Sequence, residues 1–141
     1  MKKYTQKDFF NFEINRFGHI VCPTGDYSEI KYFGGGCLFD EGSVFADFSV
    51  FGDVCVFRKG CSFGKSCKFG CNCIFADGCI FGESSLFGKY SSFYNQCSFG
   101  KQCRFKGFPQ FGDNCRFDIR CKFSLLYLIK EYFTKRRMKD E

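Results

Sequence analysis

Residues 57–75 read FRKGCSFGKSCKFGCNCIF, with Phe57, Phe63, Phe69 and Phe75 six apart and Cys61, Cys67 and Cys73 two residues before the last three. Working outward, the spacing holds back to Phe33 and on to Phe123. It passes through Phe39, Phe45, Phe51, Phe81, Phe87, Phe93, Phe99, Phe105, Phe111 and Phe117, sixteen phenylalanines in all. Cys or Ser stands two residues before each one, except at Lys31 and Pro109, and Gly often follows. A fixed short period marks stacked repeats and takes precedence over local propensity. Six residues suit neither a helical turn nor a plain strand alternation. They suit a short strand that turns Phe and the small residue two before it to one face, followed by a corner. Gly36, Gly42, Gly60, Gly78, Asn72 and Asn114 fall three residues after a Phe, where a left-handed backbone favours Gly or Asn.

This unit resembles the hexapeptide-repeat left-handed parallel β-helix family. The resemblance covers about two thirds of the chain and implies an all-β solenoid, a triangular left-handed parallel β-helix of ~5 coils at 18 residues per coil. Two features depart from the family pattern: Phe stands where Leu, Ile or Val is usual, and no loop interrupts the repeat. The related pentapeptide repeat needs a period of five and is excluded by count.

The expected organisation is a cap with a degenerate first coil over residues 1–32, the β-helix over 33–123, and an amphipathic helix with a basic tail over 124–141. Counting back in sixes from Phe33 reaches Tyr27 and Val21. Phe9, Phe10, Phe12 and Phe17 are expected to cover the open end of the core, as terminal repeats require. After Phe123, Ser124 is a candidate N-cap, and Leu125, Leu128, Ile129, Tyr132 and Phe133 recur at helical spacing. That stripe predicts a lid on the last coil, or a helix that mediates association.

The chain has 12 Cys, which in a secreted protein would suggest a disulfide framework. The Lys-rich and then aromatic N-terminus has no apolar signal core, so the expected compartment is a reducing cytoplasm. The ladder thiols are expected to be buried small hydrophobes, with Cys22 and Cys71 outside the inward column and more reactive. No metal is expected, because alternation turns Cys71 and Cys73 to opposite faces and four converging ligands are not apparent. No stretch is long and apolar enough to span a membrane.

Net charge is +6, but Asp40, Glu41, Asp47 and Asp53 precede Phe57 with no Lys or Arg between Phe33 and Phe57, while cations dominate from Arg58 onward. Two candidate surfaces follow from the eighteen-residue stacking. Tyr90 and Phe108 fall at neighbouring corners with Lys89, Arg104, Lys106 and Lys122 beside them, a composition that suits protein hot spots and single-strand stacking platforms. The outward positions Leu38, Val56 and Ile74 form an apolar column.

Members of the family that this unit resembles include acyltransferases with a His base and carbonic anhydrases with a three-His zinc site, so the resemblance implies that a His would carry any activity. This chain has one His, His19, outside the regular coils and with no partner carboxylate in evidence. The expectation is therefore no catalytic residue, no cofactor and no enzyme activity. In its place stands a binding or inhibitory scaffold with a rigid surface, of the kind that suits a phage or mobile-element inhibitor of a host nuclease. A protein partner is the first expectation, nucleic acid at the basic C-terminal end the second and an acyltransferase-like enzyme the third; self-association stays open.

Overall fold

The computed structural model describes residues 1–125 and 127–131. Its strands form three parallel sheets, the faces of a triangular β-helix. The first face contains Ile20–Cys22, Cys37–Phe39, Val56–Phe57, Ile74–Phe75, Ser92–Phe93 and Gln110–Phe111. The second contains Val44–Phe45, Ser62–Phe63, Ile80–Phe81, Ser98–Phe99 and Arg116–Phe117. The third contains Tyr32–Phe33, Val50–Phe51, Lys68–Phe69, Leu86–Phe87, Arg104–Phe105 and Lys122–Phe123. Two faces thus carry six strands, so the stack has about six turns, one more than the sixteen hexads alone suggest.

The core is a lattice of rings. Phe75 stacks on Phe57 at 4.9 Å and on Phe93 at 4.8 Å, one coil to either side, and meets Phe69 and Phe81 edge-on at 5.0 and 4.9 Å. Phe fits because one coil step matches the spacing of offset-stacked rings, while the triangle sets rings on adjacent faces edge to face, and both arrangements are favourable. The residue two before each Phe must be small, and a donor is useful there. Ser49 Oγ donates to the Ala46 carbonyl, and the Cys67 thiol does so to the carbonyls of Ala46 and Gly64. A hydroxyl and a thiol are therefore interchangeable in this column.

Corners supply the remaining contacts. The left-handed residues include Gly42, Gly60, Gly78 and Asn72, as the sequence predicts, and also Phe48, Val54, Ser66, Ser84, Tyr90, Gln102 and Arg120. At regular corners this residue's N–H donates to the next coil, as Val54 does to the Cys71 carbonyl at 2.9 Å. Gly after Phe is needed where coils approach: a Cβ at Gly82 would lie 2.5 Å from the Gly64 backbone. The acidic residues serve the corners too. Asp47 and Asp53 accept the backbone N–H groups of Lys65 and Cys71, each at 2.7 Å.

The N-terminal end corrects several expectations. The first coil is one residue short: Val21 pairs with Leu38 and Cys22 with Phe39, a seventeen-residue step that reverses which side chain points in. Cys22 is therefore buried and Val21 half-exposed, so Cys22 is a core thiol and not an outlying reactive one. Cys71 does lie outside the column and is half-buried. Tyr27 keeps its ladder place, stacked on Phe45. Lys31 cannot enter the core, and Ile30 fills the inward site instead.

Of the early aromatics, Phe9 and Phe12 pack on the core, whereas Phe10 and Phe17 are 76% and 70% exposed. Phe9 sits on a short helix, α1 (Gln6–Phe10), held by a Thr5–Asp8 capping box. The ring that continues the ladder is Tyr4, which sequence spacing did not single out.

At the other end residues 125 and 127–131 are helical. Tyr127 stacks on Phe123 at 5.4 Å, while Leu125, Leu128 and Ile129 are exposed. Among the described residues the lid contact is thus made by Tyr127 and not by Leu125, Leu128 or Ile129. Tyr132, Phe133 and the basic tail lie outside the described residues.

Candidate binding face

Strand pairing sets the outward residues of the third face in one file, Tyr32, Val50, Lys68, Leu86, Arg104 and Lys122. Along the corner that leads into this face run the left-handed residues Phe48, Ser66, Ser84, Gln102 and Arg120. File and corner enclose a groove of about 590 Å³, lined by Phe48, Lys68, Leu86, Arg104, Arg120 and Lys122 with Ser and Gln side chains between them. No acidic residue lines it. Among the described residues, none of the four cations makes an ion pair; the three pairs present are Lys3–Glu29, Arg58–Asp40 and Lys65–Glu83. Four uncompensated positive charges on one rigid strip create a field that attracts anions.

The aromatic corner lies at the other edge of this face. Tyr90 and Phe108 have ring centroids 6.4 Å apart at 30°, neighbours as the eighteen-residue count implies. Their backbones differ, however. Tyr90 is left-handed, whereas Gly107 and not Phe108 takes that conformation on the next coil. Pro109 fills the buried small-residue site there, and the Gly107 carbonyl accepts Ser124 Oγ at 2.6 Å. The terminal helix reaches this corner: Lys130 Nζ lies 5.7 Å above the Phe108 ring, leaving Tyr90 57% exposed.

The sequence-derived set therefore divides. Lys89 packs against Gly107, and with Lys106 it belongs to the aromatic corner by sequence. Arg104 and Lys122 pair across the third face and line the groove, joined by Lys68 and Arg120. Sequence spacing alone does not assign those last two to a site. Counting corner positions in eighteens, Phe48, Ser66, Ser84, Gln102 and Arg120, would have placed Arg120 beside Lys122.

The apolar column is also present. Leu38, Val56 and Ile74 are in register and Val21 extends them; the N-terminal segment does not bury this ridge, since Val21 and Ile74 remain 37% and 38% exposed.

His19 lies in the N-terminal hairpin, its N–H bonded to Asn15 Oδ1 and its carbonyl accepting the Asn15 N–H. Nine of the twelve thiols are buried, and burial pushes the Cys103 thiol up to about 12, far from the range of a nucleophile. No grouping of three or more His, Cys, Asp or Glu able to hold a metal occurs among the described residues, and no helix among them is long and apolar enough to cross a membrane. Compared with protein-family profiles, curated proteins and solved structures, the chain matches none.

Proposed function

We propose that the protein is a non-enzymatic binding scaffold that engages an anionic partner through its third face, and is inhibitory where that engagement masks the partner. The observation that carries this reading is the groove containing Lys68, Arg104, Arg120 and Lys122, unpaired among the described residues and with no acidic lining. The ladder behind it cannot easily deform, so the charges are held in place before binding and little ordering cost remains. The hexad period supports kinship with the hexapeptide-repeat family, and twelve free thiols suit a reducing cytoplasm.

The test compares the wild type with the variant Lys68→Gln/Arg104→Gln/Arg120→Gln/Lys122→Gln, presented as tagged proteins to fractionated acidic proteins and to nucleic acid at about 0.15 M salt. Thermal melting serves as the fold control. The reading expects ligands held by the wild type to be lost from a variant that melts normally; equal retention by both overturns it.

A second reading rests on Tyr90, exposed and left-handed beside Phe108. An aromatic pair flanked by Lys89 and Lys106 suits a protein partner's anchor site. Replacing both rings with Ala would then abolish protein binding with the groove intact.

A further inference from the structure

Resting on the scaffold reading above, we infer that the occupant of the groove is single-stranded nucleic acid. The file from Lys68 to Lys122 spans three coil steps, about 15 Å at the spacing of adjacent strands. A stacked strand advances ~3.4 Å per phosphate, so the file faces roughly four phosphates, and its three cations together with Arg120 from the adjoining corner present four positive charges to them. Ser66, Ser84 and Gln102 line the same groove and offer neutral donors to phosphate oxygens.

At the head of the groove stands Phe48. Its ring is 65% exposed and its backbone left-handed at φ 62°. Exposure forfeits the hydrophobic gain of an aromatic side chain, and a left-handed non-glycine residue adds strain. The left-handed turn belongs to the fold, since Ser66 and Ser84 share it at equivalent corners, but their small side chains show that folding does not require an exposed ring there. A ring held rigidly at the end of a cationic track is the arrangement on which an unpaired base stacks.

Composition separates this occupant from an acidic protein. The core of a protein interface is depleted in charge, whereas four of the ten groove-lining residues are cationic and Leu86 and Phe48 are the only large apolar ones. Nucleic-acid interfaces are polar and strongly positive.

The test is fluorescence anisotropy with a labelled oligothymidine strand of about a dozen nucleotides, its duplex and polyglutamate, at salt rising from about 50 to 200 mM. The single strand should bind with a slope of log K against log salt near −2.8 (about −0.7 for each of four phosphates), hence about 50-fold weakening across that range. Arg104→Gln/Lys122→Gln should halve the slope to about −1.4. Phe48→Asn, which keeps a residue tolerant of the left-handed backbone, should weaken binding at least about fivefold and leave the slope unchanged.

Failure of the strand to bind, or duplex binding as tight as single strand, would overturn the inference. Tighter groove-dependent binding of polyglutamate that ignores Phe48→Asn would also overturn it, while leaving the scaffold reading intact. Binding of every probe unaltered by Lys68→Gln/Arg104→Gln/Arg120→Gln/Lys122→Gln would remove both.

Discussion

The Tyr4 ring stacks on the Tyr27 ring at 5.1 Å and 20°, so the aromatic column of the second face begins outside the hexad repeat. Below Tyr27 the column continues through Phe45, Phe63, Phe81, Phe99 and Phe117. A ring with partners on both sides should contribute more than one at the end. Phe75→Ala is expected to destabilise by roughly 3 to 5 kcal/mol, the usual loss for an emptied aromatic core site, and Tyr4→Ala by about half as much. Urea unfolding of the two variants checks this, and equal losses would mean that the N-terminal cap is as integral as the middle coils.

Val54 is a β-branched residue at φ 60°, with its side chain about half exposed. That conformation costs a non-glycine residue roughly 1 to 2 kcal/mol, and little burial offsets it. Val54→Gly should therefore raise stability by up to ~1 kcal/mol, part of the gain being lost to the freer unfolded chain. A lower melting temperature would show that the Val54 side chain makes a contribution larger than its strain.

Alkaline pH should unfold the protein through its thiols. Hydrogen bonding with neighbouring thiols, ahead of burial, raises Cys37 and Cys55 to about 12, and burial raises Cys103 to about 12. An unfolded thiol ionises near ~8.5. Between these values the folded state binds more protons than the unfolded one, so stability falls as pH rises. The slope is roughly 1.4 kcal/mol per pH unit for each such thiol. The urea midpoint should hold steady from about pH 6 to 8 and drop steeply between about pH 9 and 10; a flat profile to pH 10 would count against buried, neutral thiols.

Much of this fold is legible in the sequence because one constraint repeats. Each Phe fixes a column, and each Gly or Asn three residues later fixes a corner. Where the count changes, the reading slips. The seventeen-residue step between Val21 and Leu38 inverts the parity of Cys22, and no local signal marks it. Tyr4 joins the ladder from a segment with no hexad at all. Gly107 takes the left-handed place three residues after Phe105 would have predicted for Phe108, because Pro109 alters that corner. The groove is half legible: eighteen-residue spacing marks Arg104 and Lys122 as neighbouring cations, though beside Tyr90 and Phe108, whereas Arg120 comes from a corner file and joins them only when face and corner are laid side by side.

The central claim, that the third face is the working surface, is tested most directly by mapping amide chemical-shift changes when the oligothymidine strand is added to the isotopically labelled full chain. The account predicts changes concentrated at Phe48 and along Ser66 to Lys68, Ser84 to Leu86, Gln102 to Arg104 and Arg120 to Lys122. The ridge formed by Val21, Leu38, Val56 and Ile74 should stay unperturbed. Changes confined to that ridge, or to Tyr90 and Phe108, would contradict it.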